Sequence, residues 1–348
     1  METKVYQVIT PERDAAIEKA AAVLRQGGLV VFPTETVYGL GGDATNPQAA
    51  KDIYAAKGRP SDNPLIIHVA APEDAEPYAV TSDAYYRLAR HFMPGPLTVI
   101  LPKKDTIPLS VTGGLETVAV RCPAHPVARA LIRAAGVPVA APSANRSGRP
   151  SPTCAAHAAE DLTGRVDIIL DGGDCEVGLE STIVKLDGNK GVLLRPGAVT
   201  PDDLKAVLPE LSIAPAVTAA LAEGERVLSP GMKYRHYAPT APLILLEGEE
   251  SAVRAFLVEK ASEQGVGILC FNEEVNLMPK GAILFPVGAR ADLTAQAHRL
   301  FGALREADAH PTIKKLYAHL PPKEGLGLAL YNRAIRAAAH TILHIDRT

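Results

Sequence analysis

Seven short apolar runs, "PLIIHV", "PLTVILP", "TVAVRC", "VPVAAPS", "VDIILDGG", "STIVKLD" and "GVLLRPG", punctuate the stretch from Pro64 to Gly197. Each is only a few residues long, is rich in Val, Ile and Leu, and is bounded by Pro, Gly or charge. They read as strands, because an amphipathic helix needs a longer run with a period near 3.6. Between them the spacing predicts helices over "PERDAAIEKAAAVLRQ", stopped by Gly27 and Gly28, and over "NPQAAKDIYAAKG", with Asn46 as cap and Pro47 in the first turn. Further helices are expected over Ser82 to His91, His125 to Ala135 and Pro152 to Leu162. "GLVVFPTETVYGLGGDA" reads as a strand through Phe32 that runs into a Thr- and Gly-rich turn. Strands and helices mix without strict alternation, so the expected fold is α/β: a twisted mixed sheet with helical layers.

A chain of 348 residues exceeds what one core usually serves. A second unit begins near Ala241, where "APLILLEG", "VGILCF" and "GAILFPVG" are separated by the helical "SAVRAFLVEKASEQ" and followed by "DLTAQAHRLFGALREAD". That is the spacing of a small parallel, Rossmann-like α/β domain, closed by a helix in "GLALYNRAIRAAAHTI". The divisions are therefore 1–207, a linker or lid over 208–240, and 241–348. "SPGMKYRHYAP" in the middle piece gathers Lys233, Tyr234, Arg235, His236 and Tyr237, side chains with stacking faces and cationic donors that a plain spacer has no reason to concentrate. It is expected to fold as a lid over the cleft, with Tyr234 on a nucleotide.

Lys and Arg number 36 against 39 Asp and Glu, a net charge of −3, so an anionic partner has to be met locally rather than by a basic coat. The four cysteines form no Cys-x-x-Cys pair, which excludes a zinc ribbon or disulfide framework and leads to the expectation of reduced thiols and a cytoplasmic address. The N-terminal stretch lacks the apolar centre of a signal peptide, and no apolar run has the length to cross a bilayer.

Cations stand at the strand ends: Lys57 and Arg59 before "PLIIHV", Arg121 after "TVAV", Arg195 after "GVLL". An open α/β sheet places its binding crevice there, and an Arg fork suits phosphate or carboxylate; ordinary solvated charge is the other reading. Hydroxyls and amides in rigid turns (Thr34, Thr36, Ser143, Asn145, Ser151, Ser181 and Thr182) either line an anion site or serve turn geometry alone. His68 interrupts an apolar strand as either a half-buried residue or a ligand contact. Asp171, Asp174 and Glu180 match no metal-ligand set and read as solvated loop acids. The P-loop, nucleophile-elbow and dinucleotide signatures are all missing.

"FPTETVYGLGGDA", "KGRPSDNPLIIHV", "MPGPLTVIL", "VAVRCPAHP", "APSANRSGRPSPT", "LESTIV" and "LLRPGAV" resemble, in order and spacing, the YrdC-like family, and "SPGMKYRHYAP" with the unit behind it is similar to that family's longer, two-domain members, the threonylcarbamoyl-AMP synthases. The resemblance implies a reaction of L-threonine, bicarbonate and ATP that gives threonylcarbamoyl-adenylate and pyrophosphate, an early step towards threonylcarbamoyladenosine in tRNA. By matching positions it assigns Lys57 and Arg59 to the ATP phosphates as the catalytic cations. Asn63, Thr117, Ser143, Asn145, Ser151 and Arg195 complete the nucleotide side, and Thr36, His68, Arg121 and Ser181 hold threonine, with Arg121 on its carboxylate. It also implies magnesium carried with ATP, protein ligands unknown, and a downstream tRNA-modifying complex that receives the adenylate. Two anions have to be pressed together in such chemistry, which needs fixed positive charge more than a strong acid or base. A carbamoyl-transfer module of the hydrogenase-maturation type would bring Cys-x-x-Cys pairs, which this chain lacks. A binding-only module for tRNA or double-stranded RNA is opposed by the charge of −3 and by the absence of basic and aromatic residues interleaved, so tRNA binding is expected to be weak or absent.

Overall fold

The computed structural model describes residues 2–10, 12–219 and 237–346. Tyr234 and most of the segment read as a lid lie outside the described residues. The chain divides into two compact units, one of Met1–Ser147 with Ser151–Lys233, the other of Gly148–Pro150 with Tyr234–Thr348.

The first unit carries strands β1 Lys4–Gln7, β2 Val30–Phe32, β3 Gly39–Asp43, β4 Ile66–His68, β5 Leu97–Pro102, β6 Thr117–Arg121, β7 Val139–Ala140, β8 Ile168–Asp171, β9 Thr182–Asp187, β10 Lys190–Arg195 and β11 Leu211–Ile213. Its helices are α1 Arg13–Arg25, α2 Pro47–Lys57, α3 Asp83–Phe92, α4 Leu109–Thr112, α5 Pro126–Ala135, α6 Ala155–Leu162 and α7 Pro201–Val207. All seven apolar runs became strands, and the mixed sheet is ordered β1-β8-β2-β3-β7-β4-β6-β5-β9-β10-β11. The helix over residues 47–57 starts as its sequence dictates: the Asn46 side chain accepts from Gln48 N–H, Pro47 occupies the first turn, and Gly58 ends it at φ 62°.

The glycine-rich stretch expected to be a turn is instead β3, antiparallel to β2. Glycine is required by close approach there, since a Cβ on Gly41 would lie 2.8 Å from both the Phe32 ring and Val139 Cγ1. Alternation along the central strands separates two faces. Ile67, Val99, Val120 and Val184 face the larger core. Ile66, Ile100, Ala119 and Ile183 form a small apolar cluster on the other. A second core, with α1 and α5, gathers around Phe32 and Val139.

The second unit holds β12 Leu243–Gly248, α8 Glu250–Lys260, β13 Val266–Cys270, β14 Ile283–Pro286, α9 Leu293–Ala309, β15 Lys315–His319, α10 Gly327–Ala337 and β16 Ile342–Ile345. Its five strands are all parallel, in the order β14-β13-β15-β12-β16. Two strands beyond the three expected, "KLYAH" and "ILHI", were hidden because Lys, His and Tyr interrupt their apolar pattern. No helix among the described residues is long and apolar enough to cross a membrane.

Candidate active site

Register builds the site. His68 pairs with Arg121, Arg121 with Thr98, Thr98 with Ile183 and Ile183 with Arg195, so one row of side chains crosses five neighbouring strands on one face. All five are buried, with Arg121 only 4% exposed and Arg195 only 7% exposed. Two arginines inside a sheet face are costly to desolvate, so each needs tailored partners.

At one end Arg121 Nη2 donates to Glu35 Oε1 at 2.7 Å and to Thr34 Oγ1 at 3.5 Å. Glu35 is itself 5% exposed and takes Ala124 N–H on its other oxygen at 3.1 Å. Thr34 and Thr36 share a hydrogen bond of 2.9 Å, and Val177 N–H and Gly178 N–H tie the Glu35 and Thr36 carbonyls to the loop before β9. Arg121 Nε, equally buried, has no hydrogen-bond partner among the described residues. His68 lies beside it with Nδ1 3.3 Å from Val139 O and Phe32 edge-on at 6.1 Å. Burial, aided by the Arg121 charge, lowers the His68 pKa to about 3, so the ring is neutral at physiological pH.

Further along the row, Arg195 Nε donates to Ser181 O at 2.9 Å and its Nη2 to Ser181 Oγ at 3.1 Å. The same hydroxyl meets Thr98 Oγ1 at 2.7 Å, so Ser181 links Arg195 to the middle of the row. Lys57, the last residue of α2, is buried and donates to Ser143 O, to Asn145 O at 2.6 Å and to Asn145 Oδ1 at 3.3 Å. Ser143 Oγ completes the cluster on Asn145 Oδ1 at 2.5 Å. Arg59 Nη2 donates to the Asn63 and Pro64 carbonyls, which curls the Pro-Ser-Asp-Asn-Pro loop around it. The Asn63 side-chain amide is fully buried and neither of its polar atoms has a partner among the described residues. Native interiors rarely leave such groups unpaired, at a cost of about 1–3 kcal/mol each, except where a ligand completes them.

Thr117 stands half-buried at the start of β6, on the Arg121 side of the strand, with no side-chain hydrogen bond among the described residues. Ser151 Oγ donates to Glu180 Oε1 at 2.5 Å. That corrects the reading of Glu180 as a solvated loop acid: it is 6% exposed and built into the site. Glu35 was missed altogether. The available signal was an acid flanked by hydroxyls in a Pro- and Gly-bounded turn, "PTET" and "GLEST", where a buried carboxylate finds donors. Among the described residues no group of three His, Cys, Asp or Glu gathers to hold a metal.

Residues 22–197 match the Sua5/YciO/YrdC family profile, described as "Telomere recombination", and residues 199–339 match that of the threonylcarbamoyl-AMP synthase C-terminal domain. A threonylcarbamoyl-AMP synthase of Bacillus subtilis is 44% identical across 99% of this chain and 100% of its own length. One from Pyrococcus abyssi is 43% identical across 94% of this chain and 96% of its own. The crystal structure of P. abyssi Sua5 complexed with L-threonine superposes with a TM-score of 0.90 at 40% identity, covering 99% of this chain and all of the other.

Proposed function

The chain belongs to the Sua5/YciO/YrdC family, in its two-domain threonylcarbamoyl-AMP synthase branch, and we propose from that membership that it joins L-threonine, bicarbonate and ATP into threonylcarbamoyl-adenylate, releasing pyrophosphate. The observation that carries the residue-level reading is the buried Nε–H of Arg121, without a partner among the described residues, in a row that begins at His68 and ends at Arg195.

Threonine's carboxylate completes Arg121. Glu35, bonded to Nη2, holds the guanidinium still and so fixes where the neighbouring Nε–H points. Neutral His68 and the Thr34–Thr36 hydroxyl pair flank it without adding charge. Threonine's amine captures carbon dioxide as a carbamate, and a carbamate oxygen then attacks the α-phosphorus of ATP. The phosphorus–oxygen bond to the β-phosphate breaks as the new one forms, and pyrophosphate leaves with the electron pair. Lys57 and Arg59 take the phosphates with Asn63, Thr117, Ser143, Asn145, Ser151 and Arg195, and Ser181 lies where the amino-acid and nucleotide sides meet. Catalysis by such a site is placement plus fixed positive charge.

Magnesium would accompany the triphosphate, offsetting its charge, with few ligands drawn from the protein. All four cysteines are free thiols, which supports a reducing cytoplasmic setting. The adenylate passes to a separate tRNA-modifying complex, and binding of tRNA by this chain is weak or absent. The divisions at residues 207 and 240, and the lid role of the segment bearing Tyr234, belong to the same proposal. Pyrophosphate release measured with and without threonine tests the reaction: threonine-dependent release is expected, and release that ignores threonine, or none at all, defeats it.

A further inference from the structure

The second unit has a cavity of about 550 Å³ at the carboxyl ends of its strands, lined by residues that follow β12, β13, β14 and β15. Topology puts it there. From β12 the chain crosses through α8 towards β13, while from the adjacent β15 it leaves through α10 towards β16, in the opposite direction. Neighbouring parallel strands whose connections part in this way open a crevice between their ends, the usual ligand position in doubly wound sheets.

The walls are apolar, with Leu245, Leu269, Leu300 and Leu330 among them. One side is a built polar cluster. Glu274, 2% exposed, accepts from His319 Nε2 at 2.9 Å, from Phe271 N–H at 3.0 Å and from Arg290 Nη2 at 3.1 Å. Burial alone would raise its carboxyl, but these donors hold it below the usual range. The Phe271 ring stacks on His319 at 4.6 Å between centroids and carries the Arg290 guanidinium 4.5 Å above it. Arg290 is thereby fixed by a carboxylate and a ring, while its Nε and Nη1 hydrogens have no partner among the described residues. Lys323, also on the cavity, lies 4.8 Å from the Tyr331 ring and makes no ion pair among the described residues. The acids of the rim have partners: Glu247 Oε2 lies 3.0 Å from His344 Nδ1, and Glu250 meets Arg254 and Arg290.

We propose that this cavity binds an amphipathic organic anion of metabolite size, its apolar body among the leucines and its carboxylate or phosphate on Arg290 and Lys323. The ligand follows from the inventory: apolar walls, two cations with donors to spare, and acids already paired.

Calorimetric titration of the full chain, with threonine saturating, with octanoate, octyl phosphate and 1-octanol tests it. Both anions are expected to bind at least about tenfold tighter than the alcohol, and whichever binds tighter identifies the head group. Arg290→Gln combined with Lys323→Gln is expected to weaken the anions by about tenfold or more and leave the alcohol within about twofold. Leu300→Trp, which fills the cavity, is expected to abolish all three, with thermal melting to verify folding. Absence of anion binding, equal binding of the alcohol, or anion binding untouched by the double variant overturns the proposal.

Discussion

Each unit contains an arginine steadied by a buried glutamate, and the two pairs solve opposite problems. In the first unit both partners are inside: Arg121 and Glu35 have side chains 5% and 6% exposed. In the second only the acid is inside: Glu274 is 2% exposed, while Arg290 is 36% exposed and also reaches Glu250. A buried guanidinium can neither turn nor recruit water, so it selects a ligand group at one position. A rim guanidinium keeps its hydration and tolerates variety. The first arrangement suits a small substrate whose reacting amine has to be placed beside a phosphate; the second suits a binding pocket.

That contrast predicts a graded set of costs. Glu35→Ala leaves Arg121 charged and uncompensated inside the sheet, at an expected cost of about 3–5 kcal/mol. Glu274→Ala leaves a cation that can swing into water and keep Glu250, so about 1.5–3 kcal/mol is expected. Hydrogen exchange of the β6 and β13 amides reads each unit separately, which a single unfolding midpoint cannot do; equal losses at the two sites would erase the distinction.

The pH dependence sharpens it. His68 takes a proton near 6.5 when unfolded but only at about 3 when folded, so the unfolded state binds more protons between those values. Its stabilising contribution is therefore full above pH 6.5 and is lost as pH falls towards 3, by about 1.4 kcal/mol for each step of one in pH. His68→Asn is expected to flatten that part of the acid limb of β6 protection, and an unchanged limb would mean the ring is not held neutral. The smallest effect belongs to the exposed Arg254–Glu250 pair at 3.9 Å, where Arg254→Ala is expected to cost only about 0.3–0.5 kcal/mol in β12 protection.

How much of this the sequence disclosed depended on range. Apolar runs such as "PLTVILP" and the Asn46-Pro47 cap are local signals and became β5 and the start of α2. Gly39 to Asp43 misled, because its glycines answer to the Phe32 ring and Val139, which are brought close only by the fold. The cations at strand ends were visible one by one, whereas their alignment is a matter of register: nothing local places Arg121 opposite both His68 and Thr98, or Arg195 opposite Ile183. Glu35 and Glu180 stayed hidden because a carboxylate's burial depends on donors far away in sequence, Arg121 for one and Ser151 for the other. The cluster around Glu274 joins β13, the segment before α9 and the end of β15, and composition offers no hint of it.

The division of the row into an amino-acid end and a nucleotide end is tested most directly by calorimetric titration of L-threonine and of ATP into the unaltered protein and into Arg121→Ala. Loss of a charge-assisted contact to a carboxylate is expected to weaken threonine by about 2 kcal/mol, roughly thirtyfold, with ATP affinity held within about twofold. Unchanged threonine affinity, or a loss that falls on ATP instead, would contradict the assignment.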